Sequence, residues 1–202
     1  MRTIPGRLAI LTLSTLALAG CAGPLSASPQ NPSPEEATMM IDYPYYSSVQ
    51  ELAAASNLIV EVTVGDAHPD LLHPAVETAV TDPARNPQAG LVPSESQAGE
   101  ADTPITVHAT RVDAVHRGTT TVGATIEVKQ MGGVLNGVRY STDEAQLETG
   151  KSYLLFLETY PNSPASILGG DVGMFVRDRT GRSTSLGQPE LTVDAAILAS
   201  LG

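Results

Sequence analysis

The run His68-Pro69-Asp70-Leu71-Leu72-His73 places two imidazoles and a carboxylate close together in the chain. Two His nitrogens and one carboxylate oxygen form a zinc-ligand set that leaves a coordination position open for water, the arrangement of a hydrolytic metal site. Pro69 and Pro74 deny this stretch the regular helix that would aim His68 and His73 at one point, so it reads as a solvated acidic loop before it reads as a metal site. His108 shares the outward parity of Thr106 and Thr110, which predicts a surface strand residue, and His116 falls at a strand end. Asp66, Asp70, Glu77 and Asp82 crowd one segment without the D-x-D-x-D-G spacing of a preformed calcium loop. Asp143-Glu144 reads as a polar turn with a solvated face. Arg177, Arg179 and Arg182 flank one hairpin; they either keep the turn soluble or offer guanidinium groups to a carboxylate or phosphate on a partner.

Other chemistry is missing from the pattern. A serine hydrolase of the elbow type needs G-x-S-x-G, and Gly150-Lys151-Ser152 and Gly181-Arg182-Ser183 both lack the second glycine. There is no P-loop and no G-x-G-x-x-G, so the sequence predicts no cofactor. Cys21 is the single cysteine, which excludes an intrachain disulfide and a cysteine-based zinc cluster. With 11 Lys and Arg against 22 Asp and Glu, the net charge of −11 argues against nucleic acid, whose phosphates require a basic face. The expectation is therefore a non-enzymatic protein with no catalytic and no metal residues. The alternative is a metal-dependent envelope hydrolase using His68, Asp70 and His73.

The elements that would position these residues begin after an address. Arg2 and Arg7 form a positive n-region, and Leu8 to Ala19 is an apolar run too short for a spanning helix of roughly 20 residues. Small residues then lead to Cys21. The run Leu18-Ala19-Gly20-Cys21 resembles the lipobox of bacterial lipoproteins. That resemblance implies cleavage between Gly20 and Cys21 and a diacylglyceryl group on the new N-terminal cysteine. It further implies export and anchoring at the outer face of a bacterial cell membrane. Two acyl chains hold a protein stably at a bilayer where one does not. Removal of residues 1–20 takes the charge to −13, a body that an anionic membrane repels.

Ala22 to Pro34 carries four Pro, three Ser and no charge, so residues 21–40 are expected to be a lipidated cysteine and an extended tether. At about 3 Å per residue the spacer lifts the domain some 35–40 Å from the headgroups. The partner is then expected to be an extracytoplasmic protein or envelope component rather than the lipid surface.

Residues 41–202 are expected to be one domain. Ser48-Val49-Gln50-Glu51 is a capping-box pattern that starts a short helix ended by Ser56-Asn57. Leu58 to Val64 reads as a strand. Residues 65–103, with five Pro, seven acids and one Arg, break the pattern and predict a mobile acidic insertion. Strand structure resumes over Ile105 to His116, with a bulge near Arg111 where the apolar parity shifts. Thr125 to Gln130 alternates, with Ile126 and Val128 inward. Asn136-Gly137 is the strongest hairpin signal, and Tyr153 to Leu157 is apolar without alternation, as a central strand is. Met174 to Val176 with the Asp178-to-Gly181 turn suggests a closing hairpin, and Thr192 a cap for a last helix. Six or seven strands and two short helices predict a mainly β fold, a small antiparallel barrel with short flanking helices.

Two resemblances sharpen that expectation. Asn57 to Val62, His116-Arg117-Gly118 and Leu147 to Phe156 occur in an order similar to an OB-like barrel of the netrin/TIMP kind. Asp42-Tyr43-Pro44-Tyr45-Tyr46, the Ser-x-x-Glu-Leu start at Ser48 and the Leu-x-x-Gly-x-x-Tyr-Leu-Leu-Phe-Leu run from Leu147 resemble uncharacterised lipoproteins of high-GC Gram-positive bacteria. The netrin/TIMP group acts on metalloproteinases through disulfide-held cysteines, and this chain has none of them. Inhibition of that kind does not carry over with the fold.

Overall fold

A computed structural model describes residues 35–73 and 102–201, and Pro34–Gly202 is one compact unit. The expected signal, Cys21 and most of the expected acidic insertion lie outside the described residues. The fold is mainly β. Five strands close a ring: β2 (Leu58–Leu72), β3 (Thr103–Arg117), β4 (Thr125–Met131), β8 (Ser163–Ile167) and β7 (Ser152–Tyr160), which returns to β2. All ring neighbours are antiparallel except β4 and β8, where Val128 pairs with Ala165 in parallel. Closure leaves no free edge in the ring.

Tight closure needs irregular strands. The β2–β3 pairing shifts register between Ile59 and Val60, Glu61 and Val62, and Val64 and Ala67. Residues Asp113 and His116 are thereby left without an opposite number on β2, so the bulge expected near Arg111 falls a few residues further on. Both extra side chains find partners. The Thr63 hydroxyl donates to Asp113 at 2.6 Å, and His116 Nε2 lies 3.2 Å from Glu61 Oε1. On β2 the irregularity is at Gly65, where an added Cβ would stand 2.9 Å from the Ala109 carbonyl.

The barrel interior is packed by Val60, Val62, Val112, Val128, Leu155 and Met174 among others. A second core lies outside the ring, where α1 (Val49–Ala55) and α2 (Ala195–Ser200) cover Ile59, Leu154, Phe156 and Phe175. The Phe156 and Phe175 rings meet at 5.1 Å between centroids with a 45° tilt. β7 therefore buries both faces. Tyr153, Leu155 and Leu157 belong to the interior while Leu154 and Phe156 face the helices, which is why five apolar residues run without alternation. β7 continues outward to β9 (Met174–Arg177), β10 (Ser183–Ser185) and β11 (Thr192–Val193).

Ser48 caps α1 as expected, its hydroxyl accepting from Glu51 N–H at 3.2 Å. The Glu51 carboxylate reaches back to Ser47 N–H at 2.8 Å, one residue beyond a standard capping box. Asn136 and Gly137, with φ of 51° and 81°, turn β5 (Gly133–Leu135) into β6 (Val138–Ser141).

Several expectations are corrected. Among the described residues there are eleven strands, the additional ones being short. Residues 35–38, expected within the tether, form β1 (Glu35–Thr38), which pairs in parallel with β6. β2 does not stop at Val64. It continues through Leu72 opposite Thr103 to His108, so the first residues of the expected insertion are ladder, Pro69 included. Asp194 rather than Thr192 caps the last helix, its carboxylate accepting from Ile197 N–H at 2.9 Å.

Candidate functional site

The zinc-ligand set proposed by the sequence is not assembled. His68 and Asp70 are exposed on β2, and His73 Nδ1 lies 2.7 Å from Asp102 Oδ1, a contact just beyond the paired ends of β2 and β3. Among the described residues no three His, Cys, Asp or Glu side chains come close enough to hold a metal ion. Asp66 and Asp70 are exposed, while Glu77 and Asp82 lie outside the described residues. Arg177 is engaged by Glu61. That leaves Arg179 and Arg182 beside an Asx turn in which the Asp178 carboxylate accepts from the Thr180 and Arg182 N–H groups at 2.8 and 3.1 Å.

The chemistry gathers elsewhere, on the segment Met39 to Tyr46, which runs past the Thr142–Leu147 loop and the 3-10 turn Gly170–Gly173. A groove of about 330 Å³ lies between them, walled by Met39, Met40 and Tyr45 and floored by Tyr43, Glu144 and Asp171. Met40 is 96% exposed and Tyr45 76% exposed. Behind Tyr43 and Glu144 a smaller pocket of about 110 Å³ reaches Ile41, Lys129 and Ile167.

The floor is built by backbone that only glycine tolerates. Gly170 has φ of 61°, and a Cβ there would stand 2.8 Å from Glu144 Oε2 and 2.9 Å from the Tyr43 ring. A Cβ on Gly187 would fall 2.0 Å from Asp171 Oδ1. Asp171 Oδ2 accepts from Ala145 N–H at 3.2 Å, tying the turn to the loop. The loop is held from the barrel side by Gln130, which is buried on the inward face of β4. Gln130 Nε2 donates to the Ala145 carbonyl at 3.1 Å, and its Oε1 accepts from Leu147 N–H at 2.7 Å.

Burial raises the Glu144 carboxyl above its ordinary range; a hydrogen bond from Tyr43 opposes the rise and the Asp171 charge adds to it. The Tyr43 phenol is pushed far up by the same burial and by the Glu144 charge. Asp143-Glu144 is thus not a solvated turn: Asp143 is exposed, but Glu144 is half-buried. The residues lining the groove include no His, Ser, Cys or Lys. Three carboxylates beside an aromatic ring and a thioether suit a cation carried on an apolar stem.

Reasoning from sequence missed Tyr43, Gln130, Glu144, Gly170 and Asp171 as a unit. Two of them carry a local signal: the inward parity of Ile126 and Val128 continues to Gln130, and Tyr43 lies in the Asp42–Tyr46 run noted for its resemblance. His108 is a correction of another kind: it is buried at 4% exposure on the interior side of β3, with Thr110 at 0%.

The fold is a closed ring of β-strands, and beside it lies an acidic, aromatic-rimmed groove. No protein-family model, curated protein or solved structure is similar to the chain at a significant level. The residues themselves therefore carry the functional argument.

Proposed function

We propose that this protein is a non-enzymatic, lipid-anchored binding protein of the bacterial cell surface. Cys21 carries the anchor after cleavage behind Gly20, and the ring order β2-β3-β4-β8-β7 with its one parallel contact supports an OB-like reading of the barrel. The groove binds an extracytoplasmic protein or envelope component through a Lys or Arg side chain presented to Asp143, Glu144 and Asp171. The observation that carries this reading is the pairing of exposed Met40 and Tyr45 with a carboxylate floor. Aromatic and methionine anchors beside a desolvated charge are what protein interfaces concentrate at their centres.

Photocrosslinkers placed at Tyr45 and, as control, at Val122, which is exposed but does not line the groove, test it in intact cells. The reading expects one dominant adduct from position 45 that disappears with Asp143→Asn combined with Glu144→Gln, and none from position 122. Equal labelling from both positions, or an adduct indifferent to loss of the carboxylates, refutes it.

A further inference from the structure

The β9–β10 hairpin has the groove at one end and a cationic tip at the other. At its base the Gly187 N–H donates to the Asp171 carbonyl at 3.0 Å, and Asp171 floors the groove. The strand β9 then carries the chain about 13 Å away, at about 3.3 Å per residue. At the far end the Asp178 N–H donates to the Arg182 carbonyl at 2.8 Å, closing a turn that presents Arg179 and Arg182. Both arginines are exposed, and Val176 beside them is 40% exposed.

The rest of this acidic chain keeps its cations occupied. Arg111, Lys151 and Arg177 pair with carboxylates, while Arg117 and Lys129 donate to backbone carbonyls. Among the described residues only Arg139, Arg179 and Arg182 are cations with neither an ion pair nor a side-chain hydrogen bond, and two of these three share one turn. Asp178 stands next to them, but its Oδ1 accepts from the Thr180 hydroxyl and from the Thr180 and Arg182 N–H groups, so it shapes the turn. The groove has the opposite imbalance: its lining holds Asp143, Glu144 and Asp171 and no Lys or Arg. An extended arginine side chain is shorter than β9, so the tip of one molecule does not fold back into its own groove.

We propose, building on the reading of the groove as a cation-binding site, that its partner is a second copy of this chain, whose Arg179–Arg182 tip enters the groove. A guanidinium forks onto a carboxylate and stacks on an aromatic face, and the exposed Asp143 and Tyr45 offer one of each. Val176 beside the tip and Met40 on the groove wall supply apolar surface that excludes water from the ion pairs. Tip and groove are different surfaces, so the contact is head-to-tail and leaves every molecule a tip or a groove for a further neighbour. The net charge of −11 makes whole molecules repel, and the attraction acts only within a Debye length of about 8 Å at physiological salt. Association is therefore weak in dilute solution and gains from crowding on a membrane surface.

The test pairs two forms of the full chain in intact cells, one with a photocrosslinker at Tyr45 and the other with an affinity tag and no crosslinker. The expected result is an adduct joining the two forms, with Arg179 to Arg182 in the crosslinked peptide. Arg179→Gln combined with Arg182→Gln in the tagged form should cut its yield about tenfold or more, the loss of charge-assisted pairs. That variant should melt like the parent, because both side chains are exposed and unbonded. An adduct to a different protein that disappears with Asp143→Asn and Glu144→Gln overturns the second copy as partner and leaves the groove a cation site. An adduct between copies that is indifferent to loss of the two arginines overturns it as well. If no adduct depends on the groove carboxylates, this proposal and the reading of the groove fall together.

Discussion

Replacing Gln130 by Leu should unfasten the groove from the barrel. The substitution keeps the side-chain size but removes both hydrogen bonds to the Thr142–Leu147 loop. Leu147 is buried, so its N–H loses its partner with no water to replace it, a cost of about 1–3 kcal/mol. The Ala145 carbonyl is half-buried and recovers part of its hydrogen bonding from solvent, adding about 0.5–1 kcal/mol. The extra buried methyl groups return about 1 kcal/mol at most. The net expectation is a loss of about 2 kcal/mol, which for a domain of this size lowers Tm by about 4–8 °C. Thermal unfolding followed by circular dichroism gives the first number. Hydrogen exchange gives the second, because the Leu147 amide should pass from protected to fast-exchanging while β7 amides stay slow. Glu144 rides on this loop beside Tyr43, so crosslinking from Tyr45 should fall in the same variant. A Tm within about 1 °C of the parent, with Leu147 still protected, would refute the argument that Gln130 holds the loop.

Arg117 donates to the Ala53 carbonyl in α1 and the Leu201 carbonyl behind α2, joining the C-terminal ends of both helices to β3. Arg117→Met should cost about 2–3 kcal/mol in urea unfolding, and Arg117→Lys should recover only part of it, because one ammonium cannot fork to both carbonyls. The His108 ring is held below its ordinary 6.5. As pH falls through that value the unfolded chain takes up a proton that the folded chain refuses, so stability declines with acid and is regained with base. His108→Leu should remove that part of the slope when melting curves at pH 7.5 and 5.5 are compared with the parent; an unchanged slope would show that the ring already titrates in the folded protein. Cys21→Ala should move the protein from the membrane to the soluble fraction without altering its melting curve. Retention of that variant in detergent-extractable membranes would dismiss lipid anchoring.

The parts of the fold visible in the sequence are those whose cause is local. Ser48 and Glu51 lie within one helical turn of the donors they satisfy, and Asn136-Gly137 supplies its own left-handed backbone. Tyr153 to Leu157 reveals burial on both faces by composition alone. His108 and Thr110 defeat the same method, because a strand in a small closed barrel with covers on its outer side can bury both parities; polar residue type then says nothing about which face is wet. The extension of β2 through Pro69 is hidden for a related reason. Proline and a charged, turn-rich composition point to a loop, and only the facing residues of β3 make a ladder of it.

The residues behind the family resemblances turn out to hold the barrel together. The Asn57 carboxamide brackets Thr159, accepting from its N–H at 2.8 Å and donating to its carbonyl at 3.3 Å. Gly118, with φ of 100°, lets the chain pass where a Cβ would stand 2.8 Å from the Asn57 carbonyl, and Arg117 ties down both helices. Gly150 N–H reaches the Val64 carbonyl at 2.8 Å, setting β7 beside β2. Each of these is satisfied within the fold and has nothing left to offer a ligand. Among the described residues, groups with capacity to spare include Glu144, Asp143 and Arg139. They sit where the Met39–Tyr46 segment, the Thr142–Leu147 loop and the β5–β6 hairpin cross the barrel, and no short motif joins them in sequence. A search by motif therefore finds the scaffold and one wall of the groove, the Asp42–Tyr46 run, while the carboxylates that face it come from segments far along the chain.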